Sequence, residues 1–286
     1  MKNWGFANLG DAPTVPMSPR IKMSNPFLIT EPTVISFSGG RTSAYMLWRV
    51  LQANNGLPND AVVLFCNTGK EHEATLDFVR DCAHAWDVPI TWLEYRSGEP
   101  RFCLVSHDTA SRNGEPFADL VSKRSYLPNP IARFCTSELK VLTIQRYMKS
   151  IGMDEFDQML GIRADEKRRV SKLRPNNRTP LVDANVSQQD VQAFWKAQTF
   201  DLGLAYRDGV TNLGNCDLCF LKGPNQILSI IRHNPSRAIW WAEQEKKIGG
   251  TFRNDRPSYS EMLSFAQNQT DLFDTSDEGI DCFCGD

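Results

Sequence analysis

Apolar positions along the chain switch repeatedly between two periods. Short β-branched or fully apolar runs occur at Thr33 to Phe37, Ala61 to Cys66, Ile90 to Tyr95 and Phe156 to Ile162. Continuous runs of this kind suit strands covered on both faces of a parallel sheet. Between them the spacing becomes helical. Ser43 to about Ala53 places Tyr45, Met46, Leu47, Val50 and Leu51 on one side, and Glu71 to Trp86 does the same with Leu76, Phe78, Val79, Cys82 and Trp86. Strand and helix in alternation predict an α/β fold: an open, mostly parallel, doubly wound sheet with helices on both faces and ligands at the strands' C-terminal ends.

Later segments extend this plan. From about 97 to 134 the periodicity is poor and Pro100, Pro116, Pro128 and Pro130 interrupt it, which predicts an excursion over the mouth of a site. Thr136 to Ser150 reads as a helix, Ser187 to Lys196 as a helix capped by Ser187 and Asp190, and Ile227 to Gln267 as helical pieces. The expected organisation is an irregular arm over 1–30, an α/β body over 31–185, and a cysteine-containing helical region with a flexible tail over 186–286.

Composition narrows the class. With 41% hydrophobic and 23% charged residues among 286, the chain can bury a full core, and its formal charge of −2 argues against wholesale coating of nucleic acid. No apolar run approaches the roughly 20 residues of a membrane span, and the N-terminus lacks the order of a signal peptide. A cytoplasmic location is expected. There the eight cysteines are metal ligands, catalytic thiols or buried small side chains rather than disulfides.

Three local patterns carry candidate chemistry. Ser38-Gly39-Gly40-Arg41-Thr42-Ser43 follows a strand and opens a helix, so bare N–H groups, two hydroxyls and the helix dipole converge where an anion would sit. Asn67-Thr68-Gly69 occupies the matching place after the next strand, so two neighbouring loops can line one crevice. Cys216-Asp217-Leu218-Cys219 lets two sulfurs reach one metal or cluster, and the alternatives of a redox or a structural pair stay open. A fourth pattern is electrostatic. Arg163, Lys167, Arg168, Arg169, Lys172, Arg174 and Arg178 face only Asp165 and Glu166, which reads as a solvated face or as a contact to a nucleic-acid backbone.

Taken in order, the motifs resemble the phosphoadenosine phosphosulfate reductase family of PP-loop (HUP-like) adenine nucleotide α-hydrolases. The resemblance covers most of residues 33 to 225. It is carried by Ser-Gly-Gly-Arg-Thr-Ser (38–43), Asn-Thr-Gly with Glu-Ala-Thr-Leu-Asp-Phe (67–78), Phe-Cys-Thr-Ser-Glu-Leu-Lys (134–140), Gly-Ile-Arg-Ala-Asp-Glu (161–166), Pro-Leu-Val-Asp (180–183) and Gly-Asn-Cys-Asp-Leu-Cys (214–219). It implies nucleotide contacts from Ser38, Gly39, Gly40, Arg41, Thr42, Ser43, Asn67, Thr68 and Gly69, and charge neutralisation by Arg41, Lys140 and Arg163. The ATP-type Ser-Gly-Gly is kept, with Arg41-Thr42 where Lys-Asp is commoner, so the resemblance implies ATP with Mg2+, an adenylated acceptor and pyrophosphate.

The iron–sulfur reductases of this family carry Cys-Cys before the Cys-x-x-Cys, whereas here Phe134 stands in place of the first cysteine. By analogy, Cys135, Cys216 and Cys219 imply a three-cysteine [4Fe–4S] cluster serving sulfur transfer, with Cys66, Cys284 or a histidine as other completions of the set. The implied partners are an adenine nucleotide, a nucleobase or nucleic-acid acceptor reached through 163–178, a sulfur donor or thioredoxin-like reductant, and a second copy in a homodimer. Two rivals remain. One is an adenylylsulfate or phosphoadenylylsulfate reductase that releases sulfite through Cys282 or Cys284, although the ending Asp-Cys-Phe-Cys-Gly-Asp does not match that of such reductases. The other is a non-catalytic nucleotide or nucleic-acid binder.

Overall fold

A computed structural model describes residues 25–170, 173–207 and 210–268. The expectations for residues 1–24, and for the cysteines at 282 and 284, therefore lie outside the described residues. In chain order the elements are β1 (Thr33–Ser36), α1 (Arg41–Asn54), β2 (Ala61–Asn67), α2 (Glu73–Ala85), β3 (Ile90–Tyr95), β4 (Phe102–Val105), α3 (Glu115–Arg124) and α4 (Phe134–Thr136). A π turn (Ser137–Val141) runs into α5 (Leu142–Ser150), followed by β5 (Asp157–Leu160), α6 (Lys167–Val170), β6 (Asn177–Arg178), α7 (Pro180–Asp183) and α8 (Gln188–Lys196). The remainder is β7 (Tyr206–Arg207), β8 (Val210–Thr211), α9 (Pro224–His233), α10 (Ser236–Ile248) and α11 (Tyr259–Asn268).

Six strands form one sheet in the order β4-β3-β2-β1-β5-β6, and only β4 runs antiparallel to its neighbour. The order changes direction around β1, so the loops after β1 and β5 open on the same crevice. The sheet is covered on both faces, and the strand residues sort accordingly. Ile35, Val63 and Phe65 enter the core shared with α1, α2 and α8, while Val34, Leu64 and Cys66 enter a second core beneath α5. That alternation within a fully apolar run is the period of two expected of a strand with both faces buried.

A third core collects Tyr95, Phe117, Leu120, Leu139, Leu218, Phe220, Ile227, Trp241 and Tyr259. It joins α3 and the π turn to α9, α10 and α11. Val186, Val191 and Trp195, from the segment around α8, belong instead to the core of α1 and α2.

The helices agree closely with the sequence expectation, and the α8 cap is the one read from Ser187 and Asp190, a reciprocal capping box. The excursion over 97–134 differs: it contains β4 and α3. Pro116 does not interrupt α3 but stands in its first turn, where its missing N–H costs nothing.

Candidate functional site: a cavity at the ends of the parallel strands

β1 ends at the bend Ser38-Gly39-Gly40. Gly39 has φ +79°, and a Cβ there would meet the Thr75 Cγ2 at 2.5 Å, so any other residue would be strained and would have to displace the Thr75 side chain. Ser43, in the first turn of α1, closes the bend from inside: its Oγ accepts from the Ser38 N–H at 3.1 Å, lies 2.9 Å from the Ser38 Oγ, and donates to the Gly40 carbonyl at 2.9 Å. Gly161, after β5, lets its backbone press on this turn, because a Cβ there would lie 2.8 Å from the Ser43 Cα.

Above the bend lies a cavity of about 380 Å3, a volume within the usual range for small-molecule sites. Ser38 and Ser43 line one side; Arg133, Thr136, Ser137 and Lys140 come from α4 and the π turn, and Arg169, Arg174 and Asn177 from the strap after β5. Leu64, Ile144, Leu160, Ile162 and Leu173 supply apolar wall. The extra residue that a π turn inserts re-aims the side chains within it. Here Ser137 and Lys140 face the cavity while Glu138, with a side chain 5% exposed, faces away.

Arg169 is the cation that sequence reasoning did not single out. It is 6% exposed, its Nη1 is 2.6 Å from Glu166 Oε1, and its Nε is buried without an acceptor. A buried unpaired donor on a cavity wall is what a ligand anion would satisfy. Its neighbour Arg168 is exposed, and adjacent arginines in sequence carry no signal of which turns inward.

Other expected residues fall into groups. Arg163 reaches the loop through Thr42, its Nη1 donating to the Thr42 Oγ1 at 3.0 Å, with Asp165 and Glu166 holding the rest of the group. Arg41 behaves differently from expectation. Its guanidinium forms a two-point pair with Asp201, Nε to Oδ1 at 2.6 Å, and also donates to the Leu204 carbonyl. Burial alone would raise the Asp201 carboxyl, but the bonded Arg41 outweighs it and holds the carboxyl below its ordinary range.

Asn67, Thr68 and Gly69, expected to contact nucleotide, do not line the cavity, and they hold the loop after β2 from within. Asn67 donates to Glu94 at 2.6 Å and to the Ser111 carbonyl at 2.8 Å, the Thr68 Oγ1 donates to the Glu71 carboxylate, and Gly69, at φ +76°, packs on Gly114. Those side-chain bonds stabilise the loop. The basic run over 163–178 divides: Arg163 bonds Thr42, Arg169 and the exposed Arg174 line the cavity, Arg178 holds the carbonyls of Pro26 and Leu28, and Arg168 is exposed. Lys172 lies outside the described residues.

The cysteine motif meets these loops directly. Glu71 and Cys216 form an antiparallel bridge, the Asp217 N–H donates to the Lys70 carbonyl at 2.8 Å, and Thr68 Oγ1 lies 3.5 Å from Cys216 Sγ. Gly214 and Asn215 line a small void together with Ser38, Gly39 and Gly40. Cys135 on α4, Cys216 and Cys219 all pack on the third core. They do not close to the spacing of ligands on one ion: among the described residues, the His/Cys/Asp/Glu group of three within 4.8 Å is Glu73, Asp77 and His107. Cys66 lines the cavity with its thiol pushed up to about 12, by burial first, and its Sγ lies 3.9 Å from the Lys140 carbonyl. No helix among the described residues is long and apolar enough to cross a membrane.

No protein-family model matches the chain. A similarity to the solved phosphoadenylyl-sulfate reductase of Candida auris, in its phosphate complex, has a TM-score of 0.39 at 16% identity over 60% of this chain and 78% of that one, a likeness too slight to assign an activity. The uncharacterized 37.8 kDa protein in the gpa 5' region of Escherichia phage 186 is 23% identical over 266 residues, 79% of this chain and 78% of that protein. The uncharacterized nin region protein ORF290 of Escherichia phage lambda is 35% identical over 203 residues, 68% of this chain and 67% of its own length. At that identity and coverage, this chain belongs to the same family as the lambda nin region protein ORF290.

Proposed function

We propose that this protein is a PP-loop enzyme that binds MgATP in the cavity above Ser38-Gly39-Gly40, adenylates an acceptor oxygen and releases pyrophosphate. The observation that carries the reading is the cavity itself, with Ser38 and Ser43 of the glycine bend and the buried, acceptor-less Nε of Arg169 on its wall. In this scheme the amides and hydroxyls of residues 38–43 hold the departing pyrophosphate oxygens. Lys140, Arg133 and Arg169 stabilise the charge that develops as the α–β bridging bond breaks, and Arg163 fixes the loop through Thr42. The acceptor oxygen attacks the α phosphorus, its proton leaves to solvent, and the products are pyrophosphate and an adenylated acceptor. The apolar wall of Ile144, Leu160, Ile162 and Leu173 suits the nucleoside.

Cys135, Cys216 and Cys219 are a soft thiolate set. What supports a shared site for them is that all three pack on one apolar core. Bound there, a [4Fe–4S] cluster supplies sulfide chemistry to replace the activated oxygen; a nucleobase is the acceptor class this implies. Binding of ATP, with AMP and pyrophosphate formed when acceptor is present, is the test. Arg169→Met is expected to weaken ATP binding at least tenfold, in keeping with about 1.5–3 kcal/mol for a hydrogen bond to a charged group. Tight binding of adenylylsulfate with none of ATP would overturn the reading, and ATP binding without pyrophosphate release would leave a nucleotide binder.

A further inference from the structure

On the far side of the π turn from the cavity, three guanidinium groups converge on one carboxylate. Glu138 accepts from Arg124 Nη2 at 2.5 Å and from Arg146 Nη2 at 3.1 Å, and Arg101 Nη2 lies 3.7 Å from Oε2. Glu138 meets three guanidinium groups, with Glu99 acting on Arg101 from farther off, so the cluster carries surplus positive charge. The side chains of Arg101, Arg124 and Arg146 are 25%, 41% and 22% exposed, so the cluster opens to the surface. It also carries surplus donors: Arg146 Nη1 is buried without an acceptor, and Arg101 Nε and the hydroxyl of Tyr95, a residue 2% exposed, find no acceptor beyond the contact between their own two side chains. The guanidinium carbon of Arg101 lies 6.0 Å from the Tyr95 ring centroid, beside the hydroxyl that it meets. Arg101 holds this position with a backbone φ of +65°, a conformation that L residues with side chains seldom adopt.

Buried donors in a folded protein are nearly always satisfied, and guanidinium forks match multi-oxygen anions better than they match water. We infer that Tyr95, Arg101, Arg124 and Arg146 form a second anion site, separate from the cavity, for a tetrahedral group bearing two negative charges, a phosphate or a sulfate. Glu138 is its floor. The carboxylate spaces the three arginines and prevents their mutual repulsion from splaying them when the site is empty. The inference does not rest on the ATP reading. It stands if the cavity proves to bind something else.

The test uses the full chain and inorganic phosphate at pH 8, where the anion is doubly charged, with ionic strength held constant by chloride. Thermal midpoints and equilibrium dialysis of labelled phosphate are compared for the unaltered protein, Ser43→Ala, and the double variant Arg101→Gln/Arg146→Gln. Ser43→Ala removes a hydroxyl from the cavity and is expected to keep the second component of phosphate uptake. The double variant is expected to lose that component, with at least a tenfold weakening, and to keep the other. Unchanged phosphate uptake in the double variant overturns the inference, as does a midpoint rise that chloride alone reproduces. Should the double variant fail to melt cooperatively, Arg101→Gln alone decides in the same way, because its contact to Glu138 is the longest of the three.

Discussion

At the scale of single residues, the site depends on two groups whose surroundings leave no latitude. Gly39 combines a positive φ with a Cβ position already taken by Thr75 Cγ2. Alanine there meets a backbone penalty of about 1–2 kcal/mol and an overpacking cost of about 1–3 kcal/mol. Gly39→Ala should therefore lower the denaturation midpoint measurably. Adding Thr75→Ser deletes the offending methyl and should recover only the packing part, so a full rescue in urea titration would show that the backbone conformation costs nothing. Cys66 is the second case. Burial pushes its thiol to about 12, so at pH 8 the thiolate is on the order of one part in ten thousand. Iodoacetamide followed by peptide mass spectrometry should leave Cys66 unlabelled until the protein is unfolded. Rapid labelling in the folded state would contradict the buried cavity wall described for it.

At the scale of elements, the start of α2 links local chemistry to pH. His72 is its N-cap, and its Nδ1 accepts from the Ala74 N–H at 3.1 Å, a bond that only a deprotonated Nδ1 can make. Burial first, then Arg237, lowers its pKa from 6.5, against the opposing fields of Asp217 and Glu73. Because the folded value lies below the unfolded one, the cap's contribution is complete above about pH 6.5 and is lost as pH falls below it. Unfolding free energies from urea titration should be lower at pH 5.5 than at pH 7.5, by no more than about 1 kcal/mol, the usual worth of a cap. Asn in place of His72 keeps an acceptor without a titration, so His72→Asn should flatten the slope; an unchanged slope would place its origin elsewhere. The helix itself was legible in sequence from Leu76, Phe78, Val79 and Cys82 at helical spacing, as were the runs of β1, β2 and β3, because long apolar runs report burial directly. The short edge strand β4 and the helix α3 were not. Pro116 reads as a breaker in one dimension, and only the position of Gly114 before it, with Phe117, Leu120 and Val121 beyond, marks it as a helix start.

At the scale of the whole molecule, the site was legible in part for a similar reason. Ser38, Ser43 and Lys140 reach the cavity as their motifs suggest, since short-range geometry fixes them. Arg41 turns instead to Asp201, a partner far away in sequence that no local pattern reveals, and Arg169 enters the wall beside Glu166 although nothing in the run of basic residues sets it apart from Arg168. Asp217 is the plainest instance of such a partner. Buried at 3% exposure inside the Cys-x-x-Cys, it accepts from Trp241 Nε1 at 3.0 Å and lies 3.5 Å from both Lys70 Nζ and Arg237. It thus bolts α10 to the loop after β2, with the cysteines on either side of the bolt. Removing one member of a buried charge network leaves the others uncompensated, at about 3–5 kcal/mol. Asp217→Ala should strip hydrogen-exchange protection from α9, α10 and α11 while the parallel strands β1, β2 and β5 keep theirs, because the sheet's two cores do not contain Asp217. Asp217→Asn retains an acceptor for Trp241 but not the charge, and should fall between the two. Uniform loss of protection across sheet and helices would mean that the helical region and the α/β body open as one cooperative unit, and that Asp217 stabilises the molecule at large rather than the junction beside the cysteines.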